Sequence, residues 1–344
     1  MNTPSIHSAG IKIMLGLPHL RDGPLLARAR ALGQPVLVSA NAFSRWSRRS
    51  GVREWAGWST GSLRNASGLH SLSLDSAGFT AMVAYGGYPW TIDDYLDLVA
   101  AHPFAWWASL DYCVEHQIAA DRDEVLDRMS RTIRATIECR IRARDRGIAA
   151  RFLPVIQGRR PQDYERCADA LSLTIESSPL IGVGSMCRRP IHGPEGLVAV
   201  VDHLDQILPR GKLLHLFGVK GEALPYLTRF AGRIASIDSQ AYGIGARIAA
   251  RRSGHAKPEH FVAEHMAHWL IAQQARLRAM PRALPIEPVI PADPAPACPW
   301  QAAISQARAE IRALIEHGEL DHDAMTTGWI EQWAADIYRD QRSD

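Results

Sequence analysis

The 344-residue chain has five cysteines, Cys113, Cys139, Cys167, Cys187 and Cys298, and no two of them form a CxxC or CxC pair. That scatter excludes a disulfide framework and a zinc knuckle, and it suits a reducing compartment such as the cytoplasm. Long apolar runs are missing as well. No stretch reaches the ~18–20 residues needed to span a bilayer, and the opening MNTPSIHSAG has no basic segment followed by an apolar one, so a soluble, unprocessed protein without a membrane partner is expected. Charge of one sign is not in excess: 39 Lys and Arg against 36 Asp and Glu leave a net of +3. No global field attracts a polyanion, and contact with nucleic acid must come from local patches. There is no internal repeat and no low-complexity tract apart from one proline-rich segment.

Hydrophobic residues make up 47% of the chain, enough for a full core and for one large α/β unit with a small appendage. Eight short apolar runs recur at helix-length intervals: IKIMLGL (11–17), PVLVSA (35–40), HSLSLD (70–75), WWASLD (106–111), FLPVIQ (152–157), LIGVGS (180–185), LLHLFGV (213–219) and RIASID (233–238). Helical stretches between them include 91–101, 121–146, 161–176 and 194–207. This alternation predicts βα units feeding a parallel sheet, either a closed (β/α)8 TIM barrel or a doubly wound open sheet. A helix is expected at 257–279. The segment 279–300 carries seven prolines and reads as a linker or wrapped extended segment. Two further helices should follow, the last at 326–339. The expected domains are a barrel over 1–278, the linker, and a C-terminal helical extension over 301–344.

Polar residues stand where the strands should stop: Asp75, Asp111, Gln157 and Asp238, with Gly182 and Gly184 inside the sixth run. In a barrel they would converge on one mouth, where active sites are built. A single strand-terminal Asp often only caps the next helix. Three carboxylates crowded together are costly unless they share protons, hold a cation or contact a substrate, which favours a functional reading.

The ordered set DSAGF (75–79), SLDYC (109–113), PVIQG (154–158), IGVGSM (181–186), LHLFGV (214–219) and SIDSQAYG (236–243) resembles the tRNA-guanine transglycosylase superfamily over about residues 36–243, with a weaker echo at 302–340. The resemblance implies a (β/α)8 barrel that exchanges a guanine-type base in a nucleic acid. It assigns Asp238 as covalent nucleophile and Asp75 as general acid/base. Chemistry agrees, since a carboxylate can close on an oxocarbenium centre and a departing purine needs a proton. Asp111 and Gln157 match the base-reading pair, with Ser76, Gly182 and Gly184 beside it. Phe79 and Phe217 match positions that sandwich the base, although ordinary barrel packing would explain them equally well.

The sequence also departs from the tRNA enzymes. Their CxCxxC zinc ligands are absent, so no cofactor is expected, and zinc is left only to the helix-face trio His260, Glu264 and His268, for which solvation is the simpler reading. The glycine and arginine segment after the nucleophile is replaced by SQAYGIGAR. These departures are more similar to the branch that places 7-deazaguanine bases in DNA. The implied partners are DNA, with tRNA as the alternative, a free 7-deazaguanine base of the preQ0 type, and a second copy or an accessory protein. Arg45, Arg48 and Arg49 after the second run and Arg188 and Arg189 after the sixth would contact the phosphate backbone, or else form solvated loops. A non-catalytic nucleic-acid-binding paralogue is the competing class, and such subunits tend to lose the carboxylates that Asp75 and Asp238 supply here.

Overall fold

The computed structural model describes residues 10–47, 54–115, 118–254, 256–279, 298–316 and 327–340. β1 (Lys12–Leu17) leads through α1 (Pro24–Leu32) to β2 (Val36–Ser39), and an antiparallel hairpin of β3 (Ser44–Ser47) and β4 (Glu54–Trp58) follows. β5 (Leu72–Asp75) runs into α2 (Gly78–Thr80), continued by a π-helical turn at Ala81–Tyr85, and then α3 (Ile92–Ala100). β6 (Trp107–Ala108), α4 (Arg122–Asp145), β7 (Phe152–Leu153), β8 (Val155–Ile156), α5 (Pro161–Ala170), α6 (Ser172–Glu176) and β9 (Leu180–Val183) come next. The series closes with α7 (Leu197–Ile207), β10 (Leu213–Leu216), α8 (Leu224–Leu227), β11 (Ile234–Ser239), α9 (Ala241–Arg252), α10 (Glu259–Arg278), α11 (Pro299–Glu316) and α12 (Thr327–Asp340).

Setting the hairpin aside, the strands form one parallel sheet in the order β7-β6-β5-β2-β1-β11-β10-β9-β8. Its two ends are consecutive in the chain. β7 pairs with β6 and β8 pairs with β9, and only Pro154 separates the two halves. Proline has no N–H to give a ladder, and its carbonyl accepts from Gly182 N–H at 2.9 Å while Leu153 O accepts from Ser109 N–H at 2.9 Å. Counting β7 and β8 as one strand, eight parallel strands surround a common axis with helices outside, an α/β TIM-barrel-like fold with a helical C-terminal part. The strands are buried along nearly their whole length, as strands covered on both faces must be. Most of the buried apolar side chains join one cluster between strands and helices, and Ala108, Leu153 and Val155 form a second cluster with Trp106 and Phe217 packed against it.

Local chemistry sets the helix starts. Thr91 and Asp94 make a reciprocal capping box on α3. The Asp121 carboxylate accepts from the N–H groups of Asp123 and Glu124, both at 3.1 Å, to open α4. Buried Asp163, clamped by Arg122, accepts the N–H groups of Arg159 (3.0 Å) and Arg160 (2.8 Å) ahead of α5. Burial alone would raise the Asp163 carboxyl, but the Arg122 guanidinium and these N–H groups hold it below its ordinary value.

Several sequence expectations shift. The helix expected at 161–176 is two, broken at Leu171, and the one expected from 194 starts at Leu197 because 193–196 make a turn closed by Gly196 N–H to Gly193 O at 2.8 Å. The run 106–111 is strand only at Trp107–Ala108. The segment 44–55, read as a loop, contributes β3 and the first two residues of β4 to the hairpin. Arg48, Arg49 and residues 280–297 of the proline-rich segment lie outside the described residues. No helix among the described residues is long and apolar enough to cross a membrane.

Candidate active site

The barrel register decides which side chains share its interior. His215 is in register with Gly182 on one side and Ser236 on the other, and Val155 with Gly182. Because side chains alternate along a strand, His215 and Phe217 share a face, as do Ser236 and Asp238. Asp75 ends β5, Asp238 lies near the end of β11, Asp111 follows β6 and Gln157 follows β8. All four stand at the C-terminal end of the barrel.

Asp111 sits at the centre of a buried network. Its Oδ1 accepts from the Ser76 hydroxyl at 2.5 Å, and its Oδ2 accepts from the Gln157 side-chain amide. Gln157, fully buried, in turn accepts through Oε1 from the Ser185 hydroxyl at 2.6 Å. Tyr88 joins the two halves: its hydroxyl accepts from Asp111 N–H (3.1 Å), donates to Asp111 O (2.8 Å) and lies 3.0 Å from Ser76 Oγ. Every polar atom of the Asp111 carboxylate is therefore satisfied, as burial demands. Burial still raises the Asp111 carboxyl, opposed by the bonds from Ser76, Gln157 and Tyr88.

Asp75 is partly buried, and its Oδ2 accepts from Ala77 N–H at 3.1 Å. Burial, then the neighbouring charges of Asp111 and Asp238, push its carboxyl up to about 7. A carboxyl lifted to neutrality can both give and take a proton near pH 7. The Asp238 side chain, 14% exposed, lies near the mouth, with Oδ1 accepting from Gly218 N–H at 2.8 Å and facing His215 Nε2 at 3.5 Å.

Two glycines let backbone approach the network. A Cβ on Gly184 would fall 2.1 Å from Gln157 Nε2, and one on Gly182 would fall 2.7 Å from the Phe217 ring. Ala77 (φ 73°), Ser185 (φ 56°) and Arg188 (φ 56°) hold left-handed backbone without being glycine. Such conformations cost on the order of 1–3 kcal/mol each and cluster at functional sites. At Ala77 the twist aims an N–H at Asp75, and at Ser185 it sets the hydroxyl between Gln157 and Val114 N–H, the latter at 2.6 Å.

Phe79 lies at the mouth with the Arg188 guanidinium 5.4 Å above its ring. Phe217 instead packs edge-on inside the barrel, its centroid 4.5 Å from His215 and 6.2 Å from Trp106. Among the arginines, Arg45 is exposed on the hairpin, donating to Ala56 O at 3.0 Å, and Arg188 is exposed. Arg189 corrects its expected role. Only 1% exposed, it donates to Ser185 O, Arg159 O, Glu195 O, Gly158 O and Tyr164 Oη, so its guanidinium is spent inside the protein and does not reach a phosphate. His260, Glu264 and His268 are exposed on α10, and among the described residues no three His, Cys, Asp or Glu side chains come together to hold a metal ion, so the zinc known in the superfamily finds no fitting ligand set there.

The site also holds residues that sequence reasoning missed. Tyr88 and Glu115 lie outside every strand run and motif, whereas Ser185 and His215 sit inside IGVGSM and LHLFGV without a polar role that the pattern alone assigns. Glu115 is 5% exposed, and burial raises its carboxyl to about 7 against the opposing charges of Arg189, Arg188 and Arg159.

The fold is that of an α/β TIM-barrel-like protein, with three carboxylates and a buried amide gathered at the C-terminal mouth, where barrel enzymes build their active sites. The family described as DpdA, deoxypurine in DNA protein A, matches residues 36–306, and the chain belongs to it. This is the DNA-modification branch that the six motifs resembled. No match was found among curated proteins.

Proposed function

We propose that the chain exchanges a guanine in DNA for a 7-deazaguanine derivative through a covalent ester on Asp238. The observation that carries this reading is the placement of Asp75, raised to about 7 by burial and by the charges of Asp111 and Asp238, beside a second carboxylate that Gly218 holds in place. In the first half-reaction an Asp238 oxygen bonds to the anomeric carbon of the target nucleotide as the bond from that carbon to the guanine nitrogen breaks, and Asp75 supplies the proton that the departing base takes. In the second, the ring nitrogen of the incoming base gives its proton to the Asp75 carboxylate and attacks the same carbon, which releases Asp238. Two inversions give net retention. Asp111 and Gln157 match a guanine edge, with a carboxylate for the N1–H and 2-amino donors and an amide beside O6. Ser76 and the backbone at Gly182 and Gly184 complete the pocket, and Phe79 with Phe217 flank it. Arg45 and Arg188 would meet the phosphates, a role that their exposure supports.

The test is incubation of the full chain with labelled guanine or a 7-deazaguanine base and separate DNA and tRNA acceptors. Label entering DNA alone supports the reading. Label entering only tRNA overturns the DNA acceptor, and no label in either acceptor overturns base exchange.

A further inference from the structure

His215 is fully buried, yet it is not an ordinary core side chain. Its Nδ1 lies 2.8 Å from the Ser236 hydroxyl, and its Nε2 has no hydrogen-bond partner but lies 3.5 Å from Asp238 Oδ1. The rings of Trp106 (centroid 4.8 Å) and Phe217 (4.5 Å) cover the imidazole. A bare nitrogen lone pair pointed at a carboxylate oxygen would be repelled, so the proton belongs on Nε2 and the Ser236 hydroxyl donates to Nδ1. Register enforces this geometry: His215 and Ser236 are paired across β10 and β11, and Asp238 follows Ser236 by two residues on the same face.

We propose that His215 is a positioning residue for Asp238, its Nε2–H directed at Oδ1 so that the other oxygen is presented to the anomeric carbon. The role rests on the reading of Asp238 as nucleophile. The 3.5 Å gap exceeds an ordinary N–H to O bond, and rotation of the carboxylate about its Cβ–Cγ bond closes it as the substrate seats, the way apo catalytic bonds tighten. Together with Gly218 N–H the imidazole gives Oδ1 two donors on one side. With Oδ1 so held, the attacking oxygen is set, and the same donors stabilise the carboxylate that reforms when the ester breaks.

The experiment uses the full chain labelled with 15N-histidine, with His215→Leu, His215→Gln and Ser236→Ala variants alongside. The wild-type protein is expected to show a protonated Nε2 at His215 whose resonance moves in Asp238→Asn. In base exchange, His215→Leu should lower kcat by roughly 10- to 100-fold, as loss of a supporting hydrogen bond does, with the KM for free base unchanged to within about twofold. Glutamine, whose amide nitrogen reaches the place of Nε2, should recover most of that rate, and Ser236→Ala should fall between the two. A bare Nε2, a His215→Leu variant as fast as wild type, or a folded glutamine variant as slow as leucine overturns the proposal and leaves the transglycosylase reading standing. A wild-type protein with protonated Nε2 that transfers no base to any DNA overturns that reading and the role of His215 with it.

Discussion

Asp75 should make the fold less stable as pH rises, and replacing it should remove that cost. Its carboxyl moves from an ordinary value of 3.8 to about 7 on folding. Between those values the folded protein binds a proton that the unfolded chain has released, so unfolding free energy falls as pH climbs. At 1.36 kcal/mol per unit the whole shift corresponds to about 4 kcal/mol, of which roughly 2.5 kcal/mol is lost between pH 5 and pH 7. Asp75→Asn keeps the shape and the acceptor for Ala77 N–H but cannot ionise. Denaturant unfolding of wild type and Asp75→Asn, followed by circular dichroism at pH 5 and pH 8, should therefore show the variant gaining on wild type by about 2–3 kcal/mol at the higher pH, while its base exchange is lost. Glu115, also raised to about 7, contributes a slope of the same sign to both proteins and cancels in the difference. A gap between the two proteins that does not change with pH would refute the reasoning, because it would mean that Asp75 titrates alike in folded and unfolded states.

Gly184→Ala should lower kcat/KM for base exchange by on the order of 100-fold, about 2.7 kcal/mol at the transition state, because its methyl group would occupy the place of Gln157 Nε2. Steady-state kinetics with a single base measure it. Arg189→Ala should destabilise the fold by about 3–5 kcal/mol, since it strips a buried guanidinium from four carbonyls and Tyr164. DNA affinity per folded molecule should stay the same. Arg45→Ala with Arg188→Ala should do the reverse, leaving the unfolding midpoint in place while reducing the salt dependence of DNA binding, as titrations at several salt concentrations would show. Exhaustive chelation should leave both the melting curve and the exchange rate unchanged, because the CxCxxC ligands are lacking and no ligand group forms among the described residues.

The strands were the most legible part of the sequence. Parallel strands buried on both faces read as short apolar runs, and the eight runs correspond to the eight strands, with Pro154 explaining how one of them pairs on both sides. Helix ends were legible where a side chain caps them, as at Thr91 and Asp121, and illegible at Leu171 and at 193–196, where backbone turns decide. Strand-end position was enough to bring Asp75, Asp111, Gln157 and Asp238 to one mouth. It could not show that Asp111 and Gln157 are bonded to each other, since that depends on Ser76, Tyr88 and Ser185 arriving from loops. Nor could it tell Arg188 from its neighbour Arg189: the left-handed backbone at Arg188 turns one outward over Phe79 and the other into the carbonyls behind it.

The covalent intermediate is the centre of the account, and intact-mass spectrometry of the full chain mixed with a guanine-containing DNA strand, without free base, tests it most directly. The reading predicts an adduct of protein plus a DNA strand that has lost one guanine, mapped by proteolysis to Asp238, absent in Asp238→Ala and discharged when free base is added. A wild-type protein that exchanges base yet forms no such adduct, or an adduct that persists in Asp238→Ala, would contradict it.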